Sequence, residues 1–239
     1  MDFDEKNAAL LSLREDINST RAERLYIQLK ELILSGKLAT DTVMPNENEL
    51  CQMLNVSRST LRDAYRILAV NGLITRSKTG TYINNRETIV ATAPFSIVSE
   101  LADHDDILSF RMVYEEECAR CAAERITEDE LEKLGIIVQR SRSITTYDEL
   151  MAGDLAFHKS IVECSHNPLL INLFSSVWSA FQSLLSKNYD RLTASYPQKL
   201  RDAVDQHYRV YEALCSHDVE GTKLRMREHL QDVYEKHPI

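Results

Sequence analysis

The stretch MPNENELCQMLNVSRSTLRDAYRILAVNGLITRSKTGTYI, residues 44–83, contains two helical patterns followed by two short β-like runs. Pro45 opens the first pattern, ENELCQML. Ser57 is suited to cap the second, SRSTLRDAYRILAVNG, because its side chain can accept a hydrogen bond from the first helical turn. Gly72 ends that pattern. The runs LITR and TYIN, joined by residues 77–80, predict a hairpin with a basic tip.

A third helical pattern precedes this stretch in RLYIQLKELILSG and ends at Gly36, since glycine adopts the left-handed conformation that follows many helices. Three helices and a two-stranded wing describe a winged helix-turn-helix domain, which we place at residues 20–86. In this arrangement the last helix enters the major groove of DNA with its N-terminal residues at the base edges. The DNA-contact candidates on this helix and on the hairpin are Arg58, Ser59, Thr60, Arg62, Lys78 and Gly80.

These candidates differ in the contact they can make. Arg58 or Arg62 can present two donors to guanine O6 and N7. Lys78 and the backbone of Gly80 suit phosphates or the minor-groove edge. The alternative is a solvated basic helix in an unrelated small domain. The order of helix, short helix, capped helix and basic hairpin favours the DNA-binding interpretation.

The charge is distributed unevenly along the chain. Residues 20–86 hold ten Lys/Arg and six Asp/Glu, so this segment carries a net charge of +4. Because the whole chain carries −9, the remaining residues carry −13. A basic head on an acidic body can hold phosphates with one end only. Random variation in charge is the alternative explanation.

The head resembles the DNA-binding domain of GntR-type regulators over about 60 residues, in IQLKELILSGKL and the stretch quoted above. Two positions depart from that pattern. Asp41 stands where glycine is usual, which affects only a turn. Asn48 stands where many relatives carry a DNA-contacting arginine, so the resemblance implies no such contact here and allows a different operator.

Composition indicates a mainly α protein. The 239 residues are 44% hydrophobic and include only 6 Gly and 5 Pro. No apolar run approaches the roughly 18 residues that span a bilayer. Five scattered cysteines suit a reducing cytosol, so we expect a cytoplasmic protein that is not embedded in a membrane.

The second half of the chain predicts an all-α antiparallel helical bundle at residues 96–236. The run NNRETIVATAP breaks the helical pattern, and we interpret residues 87–95 as a linker. Short polar breaks separate the helical patterns beyond it, which favours antiparallel neighbours. These patterns lie near residues 97–103, 105–125, 128–144, 147–164, 168–190, 197–216 and 218–235.

Four side chains of this bundle predict a metal site. Asp154 and His158 are four residues apart and share a helix face. His207 and His229 lie on two later helices, so four ligands can converge inside the bundle. Imidazoles with one carboxylate suit a divalent ion of the Zn, Ni or Mn type. A lone helical histidine is more often a surface or core residue, which remains the alternative.

The body resembles the FadR-type effector domain, abbreviated FCD, over most of residues 105–232. The matching runs are LSFRMVYEEECARCAAERIT, DLAFHKSIVECSHNPLL and QHYRVYEALCSHDVEGTKLRMREHL. The resemblance implies a divalent metal on Asp154, His158, His207 and His229. It also places on Arg111 the arginine that meets an effector carboxylate.

Other side chains of the body have competing interpretations. For Arg111 the alternative to effector binding is an ion pair with Glu115, its i+4 neighbour. Glu115 itself fits support of the fold or of the metal shell better than ligand contact. Cys118 and Cys121 form a C-x-x-C on a helix, which is a weak zinc or redox signal and fits inward packing better.

The leading interpretation is a homodimeric transcription factor that binds double-stranded operator DNA and responds to a small organic-acid effector. A metal-dependent enzyme with an appended DNA-binding head is a second possibility, because Asp and three His can activate water. The third is an architectural DNA-binding protein with a structural metal. No separate general base or nucleophile accompanies the cluster, so we expect no enzyme activity.

Overall fold

A computed structural model describes residues 20–143, 146–187 and 196–236. This part of the chain forms eleven helices and one two-stranded sheet, which divide into two units after Leu101. The predicted fold class, a mainly α chain with a winged helix-turn-helix followed by a helical domain, is confirmed.

The N-terminal unit begins with three capped helices, α1 (Arg21–Leu34), α2 (Glu47–Leu54) and α3 (Arg58–Val70). Thr20 and Glu23 form a capping box at the start of α1. Asn55 turns the chain between α2 and α3 in the left-handed conformation, with φ 51°. The apolar faces of the three helices meet in one core, which includes Leu29, Leu50, Leu61, Tyr65 and Leu68.

The wing consists of β1 (Ile74–Ser77) and β2 (Gly80–Ile83), paired antiparallel with Ser77 opposite Gly80. Lys78 therefore lies at the tip of a two-residue turn. Gly80 has φ +151°, and a Cβ at this position would lie 3.0 Å from the side chain of Val43. The glycine has a conformational and steric reason to be here that does not depend on DNA.

Residues 87–95 differ from the sequence prediction. The expected irregular linker is largely helix α4 (Arg86–Thr92), and α5 (Phe95–Leu101) follows it directly. Asn85 caps α4 by accepting a hydrogen bond from the backbone of Thr88. Ile89 and Ile97 are buried in the core of the N-terminal unit. The burial of Ile89 stabilises α4, whose polar and β-branched residues gave no helical periodicity, whereas α5 corresponds to the helical pattern predicted near residues 97–103.

The C-terminal unit contains six helices in its described part. They are α6 (His104–Arg125), α7 (Glu128–Ser141), α8 (Tyr147–Cys164), α9 (Pro168–Lys187), α10 (Tyr196–Cys215) and α11 (Val219–Lys236). Helix α6 packs against α8, α9 and α11, and α10 packs against α7 and α11. The predicted helices agree with these bounds to within three residues, except where residues 144 and 188–190 lie outside the described part.

The C-x-x-C cysteines pack inside this unit. Cys118 and Cys121 are both buried on α6. Burial raises the pKa of the Cys118 thiol to about 12, which keeps it protonated at neutral pH.

No described helix combines the length and apolar character needed to cross a bilayer.

Candidate metal centre and DNA interface

Four side chains from three helices converge within the C-terminal unit. Helix α8 supplies Asp154 and His158, α10 supplies His207 and α11 supplies His229. One ligand atom from each lies within 4.8 Å of all the others. The three histidines are buried.

The imidazoles meet through their Nε2 atoms. Nε2 of His229 lies 3.3 Å from Nε2 of His158 and 3.2 Å from Nε2 of His207. Oδ1 of Asp154 lies 3.6 Å from the His158 nitrogen and 3.5 Å from the His207 nitrogen. Four Lewis-basic atoms therefore surround one point on the interior of the bundle.

A second layer of polar groups orients two of these rings. Oε1 of Gln206 lies 2.9 Å from Nδ1 of His229, and the Gln206 amide in turn donates to Asp232 at 2.8 Å. Oε2 of Glu115 lies 2.5 Å from Nδ1 of His158. Such partners leave Nε2 free to coordinate and are typical of metal-binding histidines. The ring of His207 instead stacks on Phe157, with centroids 3.8 Å apart.

The charges of the cluster depend on burial and on its carboxylates. Burial disfavours the imidazolium, and the neighbouring imidazoles add to this effect, so the pKa of His229 falls to about 3 and that of His207 lies well below its ordinary value. Burial also opposes protonation of His158, but the adjacent Glu115 and Asp154 carboxylates raise its pKa to about 9. The facing imidazoles hold the pKa of Asp154 below its usual range despite burial.

These residues fit a divalent cation. Ligands at the roughly 2.0–2.2 Å typical of zinc can be no more than about 4.4 Å apart across the ion, so the observed spread needs only a slight contraction. The donor set of three nitrogens and one oxygen suits Zn, Ni or Mn-type ions. Without an ion, two imidazole nitrogens lie at hydrogen-bond distance from the same third nitrogen, and a cation gives all three lone pairs a common partner.

Arg111 lies on α6 beside this cluster and is 2% exposed. Its Nε donates to Oε1 of Glu115 at 2.5 Å, and its guanidinium carbon lies 3.8 Å from the ring centroid of Phe181. The same carbon lies 5.4 Å from the centroid of Trp178. The ion pair weighed as the alternative for Arg111 is thus present, and it links the arginine to His158 through the two oxygens of Glu115.

The candidate DNA-contact residues lie on the first turns of α3 and on the wing. Arg58, Ser59 and Arg62 are exposed, and so is Lys78 at the tip of the hairpin. The N-cap Ser57 accepts from the backbone of Thr60, and its hydroxyl lies 2.8 Å from both the Ser59 and the Thr60 hydroxyls. Hydrogen bonds within the first turn of α3 therefore fix the positions of these side chains.

Glu47 connects this helix with the wing. Its two oxygens accept from Nε of Arg62 at 2.8 Å and from Nη2 of Arg76 at 2.7 Å. The side chains of α2, α3 and β1 thus meet at one carboxylate. Asn48, the next residue, is exposed on α2.

Comparison with known proteins agrees with both halves of this description. Residues 21–83 match the model of bacterial regulatory proteins of the gntR family, and residues 106–232 match the FCD domain model. The chain belongs to the GntR family of bacterial transcriptional regulators. Its FCD domain is the effector-binding part, and GntR regulators bind operator DNA through the helix-turn-helix domain. These matches exclude the metal-dependent enzyme that the sequence left open.

Individual relatives cover nearly the whole chain. An uncharacterized HTH-type transcriptional regulator of Bacillus subtilis, YcbG, is 31% identical over 91% of this chain and 90% of its own length. The galactonate operon transcriptional repressor of Escherichia coli is 25% identical over 83% and 88%. The solved structure of Lar from Listeria monocytogenes has a TM-score of 0.59 and 16% identity, covers 93% of this chain and 100% of its own, and shows the shared fold.

Sequence analysis of this GntR regulator did not identify several polar residues that contact the candidate metal ligands or the candidate DNA-contact residues. Gln206 and Asp232 orient His229 from outside the cluster, and Glu47 connects two of the head's arginines. Gln206 directly precedes His207 in sequence, which was the available signal. His217 lies outside the cluster, two residues after the end of α10, with φ 49°, and its Nδ1 lies 3.1 Å from the carbonyl oxygen of Ala123.

Proposed function

We propose that this regulator is a metal-containing homodimer whose operator affinity is controlled by a small carboxylate or sugar-acid effector. The observation that carries the proposal is the convergence of one carboxylate and three imidazole nitrogens within 4.8 Å, beside the buried guanidinium of Arg111. Binding to chromosomal DNA places its action in the cytoplasm.

The operator is contacted by the start of α3 and by the wing. Arg58 and Arg62 are the residues we assign to guanine edges, with Ser59 and Thr60 at neighbouring positions of the groove. Lys78 and the backbone of Gly80 are assigned to phosphates or the minor-groove edge. Arg62 must exchange its ion pair with Glu47 for DNA, or keep Nε on Glu47 and use its terminal nitrogens. Exposed ion pairs are weak enough to permit either.

The metal is held by Asp154, His158, His207 and His229. When bound, it supplies a Lewis acid that can accept an oxygen of the effector, since four protein ligands leave room in an octahedral shell. Gln206 and Glu115 support the ring orientations of His229 and His158. The native ion belongs to the Zn, Ni or Mn class.

The effector is an anion held by Arg111 together with the metal. The Nε edge of Arg111 is paired with Glu115, so the terminal nitrogens are the donors we assign to the effector carboxylate. A relative is named for repressing the galactonate operon, and galactonate is a sugar acid with a carboxylate and several hydroxyls. Galactonate is therefore the first probe to use.

A homodimer fits the exposed apolar side chains of the C-terminal unit. Val113 and Phe110 share a face of α6, and Val113 is 74% exposed. A two-fold dimer presents two identical recognition helices, so the operator should be close to palindromic. Sedimentation of the purified protein gives the oligomeric state, and protection of two symmetric half-sites on DNA gives the operator symmetry.

The proposal is tested by measuring DNA affinity with metal and effector present. The operator is first selected from a random duplex pool with the full-length protein. Its affinity is then measured by fluorescence anisotropy with zinc-loaded protein, with and without sodium galactonate. Galactose is the matched control, because it offers hydroxyls without the carboxylate. We expect galactonate to change the affinity and galactose to leave it unchanged, because a ligand shifts a conformational balance only through differential affinity.

Variants separate the parts of the proposal. Arg111→Met is expected to abolish the galactonate response while leaving zinc content and effector-free DNA binding intact. If this variant still responds to galactonate, Arg111 has only the ion-pair role. If chelation of the metal leaves the response unchanged in the natural protein, the metal is not part of the effector site.

A further inference from the structure

Trp178 is the single tryptophan of the chain and lies on α9 in the C-terminal unit. It is 4% exposed, and its indole Nε1 is buried without a hydrogen-bond partner among the described residues. Buried donors are nearly always paired in native proteins, so an unpaired indole N–H requires an explanation. A bound ligand that carries an acceptor oxygen would supply the missing hydrogen bond.

The surroundings of Trp178 point to such a ligand. Its ring centroid lies 5.4 Å from the guanidinium carbon of Arg111 and 5.8 Å from the ring centroid of His158. The indole therefore contacts both the cation assigned to the effector carboxylate and a member of the metal cluster. Phe181 and Phe174 pack on the same ring, with centroids 5.5 and 5.9 Å away, and hold it in place.

Besides Oε2 of Glu115 and Nδ1 of His158, which lie 2.5 Å from each other as an ion pair, two other buried side-chain groups lack a hydrogen-bond partner among the described residues. They are the hydroxyls of Tyr65, in the N-terminal unit, and of Thr222, on α11. A hydroxyl hydrogen can rotate to suit its neighbours, whereas the direction of an indole N–H is fixed by the ring. Of these three side chains, only Trp178 contacts both Arg111 and His158 within the described residues.

We propose that Trp178 is a specificity-determining residue that donates its indole N–H to an oxygen of the bound effector. The ligand class is a small carboxylate that carries a further oxygen acceptor, as a hydroxy acid or sugar acid does. Arg111 would then select for charge, and Trp178 for the position of one oxygen. This inference rests on the effector site proposed above.

Nuclear magnetic resonance can observe the donor directly. Protein labelled with 15N-tryptophan gives one indole N–H signal, since the chain has one tryptophan. Addition of sodium galactonate to the zinc-loaded full-length protein is expected to move this proton downfield, as hydrogen-bond donation does. Galactose should not move it. A galactonate complex in which the indole signal stays in place would overturn the proposal.

Calorimetry of variants supplies an independent measurement. Trp178→Phe keeps an aromatic ring but removes the N–H, and we expect it to weaken galactonate binding by roughly tenfold or more, the effect of losing a hydrogen bond to a charged or polar ligand. Zinc affinity should be unchanged. Thr222→Val removes a different unpaired buried group from the same unit and should leave galactonate affinity unaltered.

The outcomes separate this inference from the proposed function. Equal galactonate affinity in Trp178→Phe and the natural protein would overturn the role of Trp178 while leaving the effector site in place. Absence of galactonate binding to the natural zinc-loaded protein would overturn both the sugar-acid class and the role of Trp178. Weakened binding in Trp178→Phe with an unmoved indole signal would assign the loss to ring packing and also overturn the inferred donor.

Discussion

Glu47 in the head and Glu115 in the body both hold an arginine through a short ion pair, but in opposite environments. Glu47 accepts from Arg62 and Arg76, whose side chains are 59% and 41% exposed. Glu115 accepts from Arg111 and lies beside His158, and all three residues are almost fully buried. The same chemical pairing is therefore present in two different environments, one open to water and one buried.

An exposed ion pair is weak because water and salt compete for both partners. DNA phosphates or bases can displace Glu47 from Arg62 at little cost, which suits a surface that must bind and release. A buried pair cannot be opened without leaving a charge uncompensated in the interior. The Glu115 pair therefore suits a preorganised site, in which Nε of Arg111 stays on Glu115 when a ligand binds.

The largest expected effect is on stability. Glu115→Ala should lower the free energy of unfolding by about 3–5 kcal/mol in metal-free protein, because Arg111 then stays buried without its counter-ion. Glu47→Ala should cost less than about 1 kcal/mol, as exposed pairs do. Urea denaturation followed by circular dichroism measures both.

The double variant Arg111→Leu/Glu115→Leu is the control for this comparison. It removes both charges, so it should be more stable than Glu115→Ala. Equal losses for Glu47→Ala and Glu115→Ala would show that water reaches the buried pair and would remove the contrast between the two sites.

Metal occupancy gives the next effect. His207→Ala and His229→Ala each remove a ligand, so each should reduce zinc affinity by more than the roughly 10–100-fold that loss of an outer-shell partner costs. His217→Ala, a histidine outside the cluster, should retain full occupancy. Elemental analysis of dialysed protein and competition with a chelator provide the measurements. Similar occupancy in all three variants would contradict the ligand set.

The exposed site should respond through DNA affinity. Arg58→Ala or Arg62→Ala should lose about 1–3 kcal/mol of specific binding if the arginine makes a bidentate base contact. Arg66→Ala removes an equal charge from the same helix, where Arg66 pairs with Asp63, and should mainly reduce the salt dependence. Anisotropy titrations on matched and mutated operators distinguish the two kinds of loss. Wild-type affinity for both Arg58→Ala and Arg62→Ala would contradict the placement of α3.

Local signals in the sequence predicted the helices of both the head and the body. Hydrophobic periodicity and capping residues such as Ser57 are local signals, and they placed α3 and the helices of the body closely. The spacing of Asp154 and His158 was also local, because both lie on one helix. That His207 and His229 could meet them was predicted from their positions on two later helices and supported by the resemblance, since periodicity alone does not fix how distant helices pack.

The outer layer of the site could not be predicted in this way. The contacts of Gln206 with His229 and of Glu115 with His158 depend on the rotation and depth of helices that are far apart in sequence. The helix over residues 86–92 was missed because its stability comes from the burial of Ile89 rather than from an amphipathic pattern. Tertiary packing therefore decided what local propensity left open.

The pH dependence of metal binding follows from the different protonation states of the three clustered histidines. Although burial disfavours its charged form, His158 has its pKa raised to about 9 by Glu115 and Asp154, so its imidazole is protonated at neutral pH in metal-free protein. His207 and His229 are neutral there, because burial and the neighbouring imidazoles lower their pKa values. A metal ion must therefore displace one proton, from His158, and a falling pH must weaken binding.

We expect zinc affinity to fall by roughly tenfold per pH unit below the pKa of His158, since one proton competes with one ion. Chelator competition across neutral and mildly acidic pH measures the slope, and proton release on zinc addition in weak buffer measures the stoichiometry directly. Glu115→Gln removes one of the carboxylates that raise the pKa, so it should flatten the slope near neutral pH. A flat profile in the natural protein would mean that His158 is already neutral and that the buried carboxylates do not charge it.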